Sequence, residues 1–338
     1  MTEQKTQHTK SAKAISISGI CGELVGSFLI FVAIYLVSAL SPSLYGPSAI
    51  LIAAATGLAY AAMTYIFGRF SGGQFNPAVT LASMLVSKTG ILNGICYIIA
   101  QFVGGIAAGG VVKLVLPTSK AAPAKMWFAN AVNGYDQGSI SSAQLQQAGV
   151  SFGILFAVIV EVVATIIVVA ASLQASDEDG KPTKNAPAIM GIAYALGVTF
   201  TYPITGASLN PARSLGIAIF ANNVGLTASP LKQYLVFLIC PILAAAVVAI
   251  VVIIAQMLSS KNAENVEALD VTADWEKEDA ESKDEDEDDS SEKSDDFQMP
   301  SLSDSDQTSD SADADEGNND EIVESSDIEE TETKTDKD

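Results

Sequence analysis

The sequence predicts an all-α membrane protein: six transmembrane helices plus two re-entrant half-helices, arranged as an inverted repeat. Three observations carry this. Six apolar stretches, near residues 17–40, 48–67, 91–116, 152–173, 186–205 and 232–258, hold few or no charges and match the roughly 20 residues that a helix needs to cross a bilayer. Two further apolar pieces, 76–86 and 210–220, are about half that long and open on the same tripeptide. The acidic residues are concentrated beyond the last stretch: residues 259–338 hold 32 Asp and Glu against 6 Lys, a net of −26, whereas the preceding residues hold 7 against 12, a net of +5. The overall charge of −21 therefore describes an appended segment and says nothing about a basic substrate.

The first stretch is one of a series and lies too far along the chain for a cleaved signal peptide. Lys5, Lys10, Lys13, Arg69, Lys88, Lys181 and Lys184 fall on one predicted side, against Lys113, Lys120, Lys125 and Lys232 on the other. Because Lys and Arg bias short loops to the cytoplasm, both termini are expected there, in a cell membrane of plasma or bacterial inner type. The expected division is an N-terminus of 1–15, a membrane-spanning unit of 16–258 and a disordered acidic tail of 259–338. The middle unit has a first half of 16–116, an external loop of 117–150 and a second half of 151–258. The tail carries too little apolar surface to offset the entropy of ordering. It reads as a solvated extension or as a docking segment for a cytoplasmic partner.

Each short piece begins abruptly, with Asn76-Pro77-Ala78 in one and Asn210-Pro211-Ala212 in the other. Asparagine is a strong N-cap, and proline suits the first helical turn, where its missing N–H is not required. About ten residues of helix cover roughly 15 Å, half of the hydrocarbon core. Irregular backbone at that depth survives only where protein or a water-filled cavity satisfies it, so the two half-helices are expected to meet end to end beside such a cavity. The duplication extends further: Glu23-Leu24-Val25-Gly26-Ser27 in the first span is echoed by Glu161-Val162-Val163-Ala164-Thr165 in the fourth. Three spans per half set the halves in opposite orientations. Gly22/Gly26 and Gly105/Gly109 have the small-xxx-small spacing of close helix packing.

Enzymatic chemistry finds little footing. The single histidine, His8, precedes the spans, and Cys21, Cys96 and Cys240 are scattered through apolar runs. That excludes histidine-assisted nucleophiles and leaves neither a disulfide framework nor a zinc ribbon. No catalytic residue, metal or cofactor is expected, and nothing points to nucleic acid.

The paired Asn-Pro-Ala boxes, the lead-in Ser71-Gly72-Gly73-Gln74-Phe75, the Arg213-Ser214 after the second box and the repeated span glutamates resemble the aquaporin, or major intrinsic protein, family over about residues 16–258. The likeness is to aquaglyceroporin-like or mixed-selectivity bacterial members. It implies the aquaporin-like fold, a pore in each subunit, a homotetramer in lipid, and passage of water and small neutral solutes. It also implies that Arg213 belongs to a narrow selectivity filter near the outer mouth, and that Glu23 and Glu161 orient the loops before the boxes. Counting back from the boxes carries the remaining filter positions to Thr56, Val198 and Ala207. At the pore centre, half-helix N-termini bearing about +0.5 charge each, with asparagine N–H donors free for a passing oxygen, would break proton hopping and repel cations.

Water-selective members place large rings at two of these filter positions. Here Thr56 and Val198 predict a wider opening with one apolar wall, suited to glycerol, urea, boric acid or protonated lactic acid as well as water. Ser214 and Ala218 instead resemble water channels, and Phe200, Tyr202, Trp127 or Tyr135 could refill the opening. The alternatives are a strictly water-selective channel and a secondary transporter using the glutamates.

Overall fold

The structure, a computed structural model, describes residues 15–285, with side chains through residue 262. The chain divides into two compact units, Met1–Thr272 and Ala273–Asp338, and the helix packing described below is that of the first. The helices run α1 (Ile17–Leu44), α2 (Ala49–Ser71), α3 (Pro77–Leu85), α4 (Ile91–Val115), α5 (Ala124–Phe128), α6 (Ser142–Gln147), α7 (Ile154–Gln174), α8 (Ala186–Thr205), α9 (Pro211–Ala221) and α10 (Pro230–Glu285). Six are long and apolar enough to cross a membrane, the last through Pro230–Asn262. Helices α5 and α6 lie in the connection between the halves, which the sequence reads as a loop.

Helices α1 and α2 start where the sequence supplies a serine cap. Ser16 Oγ accepts from the Gly19 N–H at 3.1 Å and Ser48 Oγ from that of Leu51 at 3.2 Å, the N-cap arrangement that satisfies otherwise orphaned donors. Gly72 and Gly206 end α2 and α8 in the left-handed region, at φ 97° and 75°, where only glycine is free of a Cβ penalty. Helix α10 continues past Leu258, because Ala, Glu and Lys in the following residues favour helix and the backbone is helical to Glu285. The rest of the expected tail, 286–338, and residues 1–14 lie outside the described residues.

Packing is inside-out relative to a water-soluble bundle. Leu58, Leu114, Leu155, Ile192 and Val251 point outward and are exposed, whereas Glu23, Gln101, Thr165, Thr201 and Arg213 are buried. Such a surface suits lipid, in which apolar side chains lose nothing by facing out. Helix α2 packs along α8, α1 along α4, and the half-helices cross to the other half: α3 lies on α7 and α9 on α4.

Two close approaches hold this frame. A Cβ on Gly57 of α2 would lie 2.5 Å from the Gly191 carbonyl oxygen of α8, so these helices touch backbone to backbone. Gly57 and Gly191 each stand nineteen positions before a box asparagine, and the crossing is therefore a repeat of one motif on itself. On α4, a Cβ at Gly105 would lie 2.5 Å from the Ala212 carbonyl oxygen, and Gly109 approaches that of Gly216 closer still. The small-xxx-small pair seats the second half-helix.

Candidate functional site

The chain leaves α2 and α8 through Gly72 and Gly206, then turns sharply before each half-helix. Phe75, Ala207 and Leu209 adopt φ of 47°, 54° and 51°, a left-handed backbone that costs a non-glycine residue about 1–3 kcal/mol. Buried carboxylates hold both turns. Glu23 accepts from the backbone N–H of Gln74 at 2.9 Å and of Phe75 at 2.6 Å, from Ser71 Oγ at 2.5 Å and from Gln101 Nε2 at 2.8 Å. Glu161 accepts from the N–H of Ser208 at 2.9 Å and of Leu209 at 2.8 Å, and from Thr205 Oγ1 at 2.5 Å. In both halves the glutamate ties down the two residues immediately before the asparagine, and three or four donors satisfy the buried carboxylate.

Held this way, the Phe75 and Leu209 carbonyls face the opposite half. Asn210 Nδ2 donates to the Phe75 carbonyl at 2.7 Å, and Asn76 Nδ2 to that of Leu209 at 2.8 Å. Asn76 Oδ1 accepts from the Ala78 N–H at 2.9 Å, and Asn210 Oδ1 from those of Ala212 at 3.0 Å and Arg213 at 3.3 Å. Each asparagine thus caps its own helix and binds the carbonyl leading into the other. The half-helix starts, with Pro77 and Pro211 in the first turn, meet as the sequence suggests.

One expectation fails. The second amide N–H of each asparagine is not free: Asn76 Nδ2 also donates to Tyr194 Oη at 2.9 Å, and Asn210 Nδ2 to Tyr60 Oη at 3.0 Å. An amide has two N–H groups, so all four are engaged.

On the Arg213 side of the junction a cavity is lined by Thr56, Val198, Ala207, Arg213, Tyr60 and Tyr194, among others. The four residues counted back from or following the boxes are therefore brought together. The cavity is narrower than the small residues at 56 and 198 imply, at about 10 Å³, the scale of a single water. Tyr202, one of the rings that could refill the opening, lines it and donates to the Asn130 carbonyl at 2.9 Å. Thr56 Oγ1 donates to the Ile52 carbonyl at 2.7 Å, which leaves its oxygen as an acceptor toward the cavity.

Arg213 is buried, and its partner is an amide: Nη1 donates to Asn133 Oδ1. Ser214 Oγ donates to the same oxygen at 2.7 Å, while Asn133 Nδ2 donates to the Thr205 carbonyl at 3.1 Å. The Tyr35 hydroxyl donates to the Arg213 carbonyl. A neutral partner positions the guanidinium without cancelling its charge. Asn133 escapes sequence reading, because it sits in the connection between halves, where no periodicity or repeat marks it. Tyr60 and Tyr194 are marked in the sequence by the repeat alone: each stands sixteen positions before a box asparagine.

At the opposite end, Ser16, Arg69, Lys88 and Lys181 line one cavity, so three of the cations assigned to one side share an end of the molecule. Lys88 Nζ donates to the Leu173 and Ser176 carbonyls at 2.6 and 2.7 Å, capping the C-terminus of α7. Burial lowers its pKa, against the opposing pull of Asp177 and Glu178. Among the described residues no group of three or more His, Cys, Asp or Glu could hold a metal ion.

The sequence model of the Major intrinsic protein family matches residues 9–252. The chain belongs to that family. As a major intrinsic protein it is a multi-pass membrane protein of a channel family and not an enzyme. Aquaporin Z of Photorhabdus laumondii is 33% identical over 192 residues, covering 57% of this chain and 76% of that protein. Glycerol uptake facilitator protein-like 6 of Lactiplantibacillus plantarum is 33% identical over 177 residues, 52% of this chain and 73% of its own length. The solved aquaglyceroporin from Plasmodium falciparum superposes with a TM-score of 0.56 at 19% identity, over 70% of this chain and 93% of that one. That likeness supports this major intrinsic protein's fold alone.

Proposed function

We propose that this protein is a passive channel for water and small uncharged solutes such as glycerol, and that it excludes protons and ions. The observation that carries the reading is the cavity lined by Arg213, Thr56, Val198 and Ala207, directly beside the junction of the two half-helices. A solute with a carbon backbone lays that side against Val198 and Ala207 while its hydroxyls meet Arg213 and Thr56. Two helix N-termini directed at one point make that point positive, and Arg213 adds a full charge, so cations are repelled twice. Uncharged solutes meet no such barrier.

The glutamates favour a channel over a coupled transporter. Glu23 and Glu161 are occupied by backbone and side-chain donors, so using either as a proton carrier would dismantle the turn that it holds. The strictly water-selective reading draws on the small cavity and on Tyr202. The proposed assembly is a homotetramer, each subunit with its own pore, in a cell membrane with both termini cytoplasmic. The acidic segment after the last span is available to a cytoplasmic partner.

Stopped-flow scattering of proteoliposomes separates the two selectivities. With sucrose outside, vesicles are expected to shrink and stay shrunken. With glycerol or urea they are expected to shrink and then re-swell faster than empty vesicles. Shrinkage without accelerated re-swelling in either solute would mean a water-only channel.

A further inference from the structure

Tyr60 and Tyr194 are related by the internal repeat, and the fold presses them together. They follow Gly57 and Gly191 by three positions, which puts them on the same helix faces as the glycines that let α2 and α8 touch. Their rings stack with centroids 3.3 Å apart and planes 6° apart, and both side chains are buried. Each hydroxyl accepts from the asparagine of the other half, Tyr60 from Asn210 and Tyr194 from Asn76. The pair therefore lines the Arg213 cavity and occupies the amide hydrogens of Asn76 and Asn210 that the Phe75 and Leu209 carbonyls leave over.

We propose that the stacked Tyr60–Tyr194 pair is the rate-setting and size-selecting constriction of the pore. It must part before any solute reaches the two asparagines. The proposal rests on the channel reading above and adds to the residues around Arg213 a second, narrower selecting level at the midplane. The class of solute follows from the exchange required. A hydroxyl or water oxygen replaces a phenol oxygen as acceptor, so the number of hydrogen bonds at the asparagines is kept while the ring contact is lost. Solutes lacking an oxygen acceptor would leave the amides unpaired and are disfavoured. Because the rings approach from opposite halves, either can make the first move, and both must yield for a solute broader than water.

Water and glycerol permeabilities of proteoliposomes holding the intact chain test this. The variants are Tyr60→Val with Tyr194→Val, the double Tyr→Phe chain, and the single Tyr60→Leu chain, with protein integrity checked by elution and helical circular dichroism. The double valine chain is expected to raise water flux about tenfold, the order that one aromatic contact adds to a barrier, and to raise the glycerol-to-water ratio, which a purely structural role would not move. Tyr60→Leu reads the same direction if the double valine chain fails to fold. The double phenylalanine chain keeps the rings but leaves the two amide N–H groups for the solute, and is expected to fall between wild type and the double valine chain; conduction as fast as the double valine chain would overturn the constriction by stacked rings. Unchanged flux and ratio in the valine and leucine chains, with wild type above empty vesicles, would overturn the proposal and leave the channel reading standing. No flux above empty vesicles in any chain would overturn both.

Discussion

Replacing Glu161 by leucine is expected to destabilise the protein and abolish its permeability. The carboxylate is the acceptor for the Ser208 and Leu209 N–H groups and for the Thr205 hydroxyl. Thr205 retains a second acceptor in the Thr201 carbonyl at 3.1 Å, but the two backbone donors have none in reserve. Orphaning each costs about 1–3 kcal/mol, so a loss of about 2–6 kcal/mol is expected, a large share of a typical stability. The strained turns at Ala207 and Leu209 would relax, and the Leu209 carbonyl would leave Asn76. Glu161→Gln keeps one acceptor oxygen but turns an NH₂ toward a donor, and should fall between leucine and wild type. Thermal unfolding in detergent, with permeability measured on the same preparations, checks the order. A leucine variant with unaltered melting and flux would remove Glu161 from the positioning of the second box.

Arg213→Val is expected to raise proton and monovalent-cation leak while leaving neutral flux largely intact. The guanidinium is buried beside the cavity, with a neutral amide as its partner, so its charge acts on whatever enters. A unit charge met at about 4 Å through an effective dielectric near 20 adds about 4 kcal/mol to a cation's barrier. Its removal is therefore expected to raise the leak by up to about a thousandfold, the remaining exclusion coming from the half-helix N-termini. Asn133→Ala should show the same direction at smaller size, since the charge stays but loses the anchor that aims it. Pyranine-loaded proteoliposomes given a pH step read both. A leak at the wild-type level in Arg213→Val would assign charge exclusion to the half-helices alone.

Much of this architecture is legible in the chain, because the repeated elements carry strong local signals. Asn76 and Asn210 announce themselves through Asn-Pro-Ala at a helix start, where capping and proline geometry agree. The span glutamates are visible because a carboxylate inside an apolar run demands an explanation. What escaped depends on approach between distant segments. The backbone contact of Gly57 with Gly191 is a property of how α2 crosses α8, and without it Tyr60 and Tyr194 read as two unrelated core aromatics. The cavity is smaller than Thr56 and Val198 imply, because the rings of Tyr60, Tyr194 and Tyr202 line it with them. Asn133 was hidden for the opposite reason: its role is set by Arg213, eighty residues on in the sequence. The helical continuation to Glu285 follows from local propensity, which outweighed the charge of that segment.

The central claim is that two half-helices meet in the bilayer beside a path that passes uncharged solutes. Osmotic shrinkage of vesicles carrying the intact protein, followed over a range of temperatures against empty vesicles, tests it most directly. Water moving along a protein-lined path is expected to shrink the vesicles faster than bare lipid does, with a shallow dependence on temperature. A rate and a steep temperature dependence matching those of the empty vesicles would contradict it.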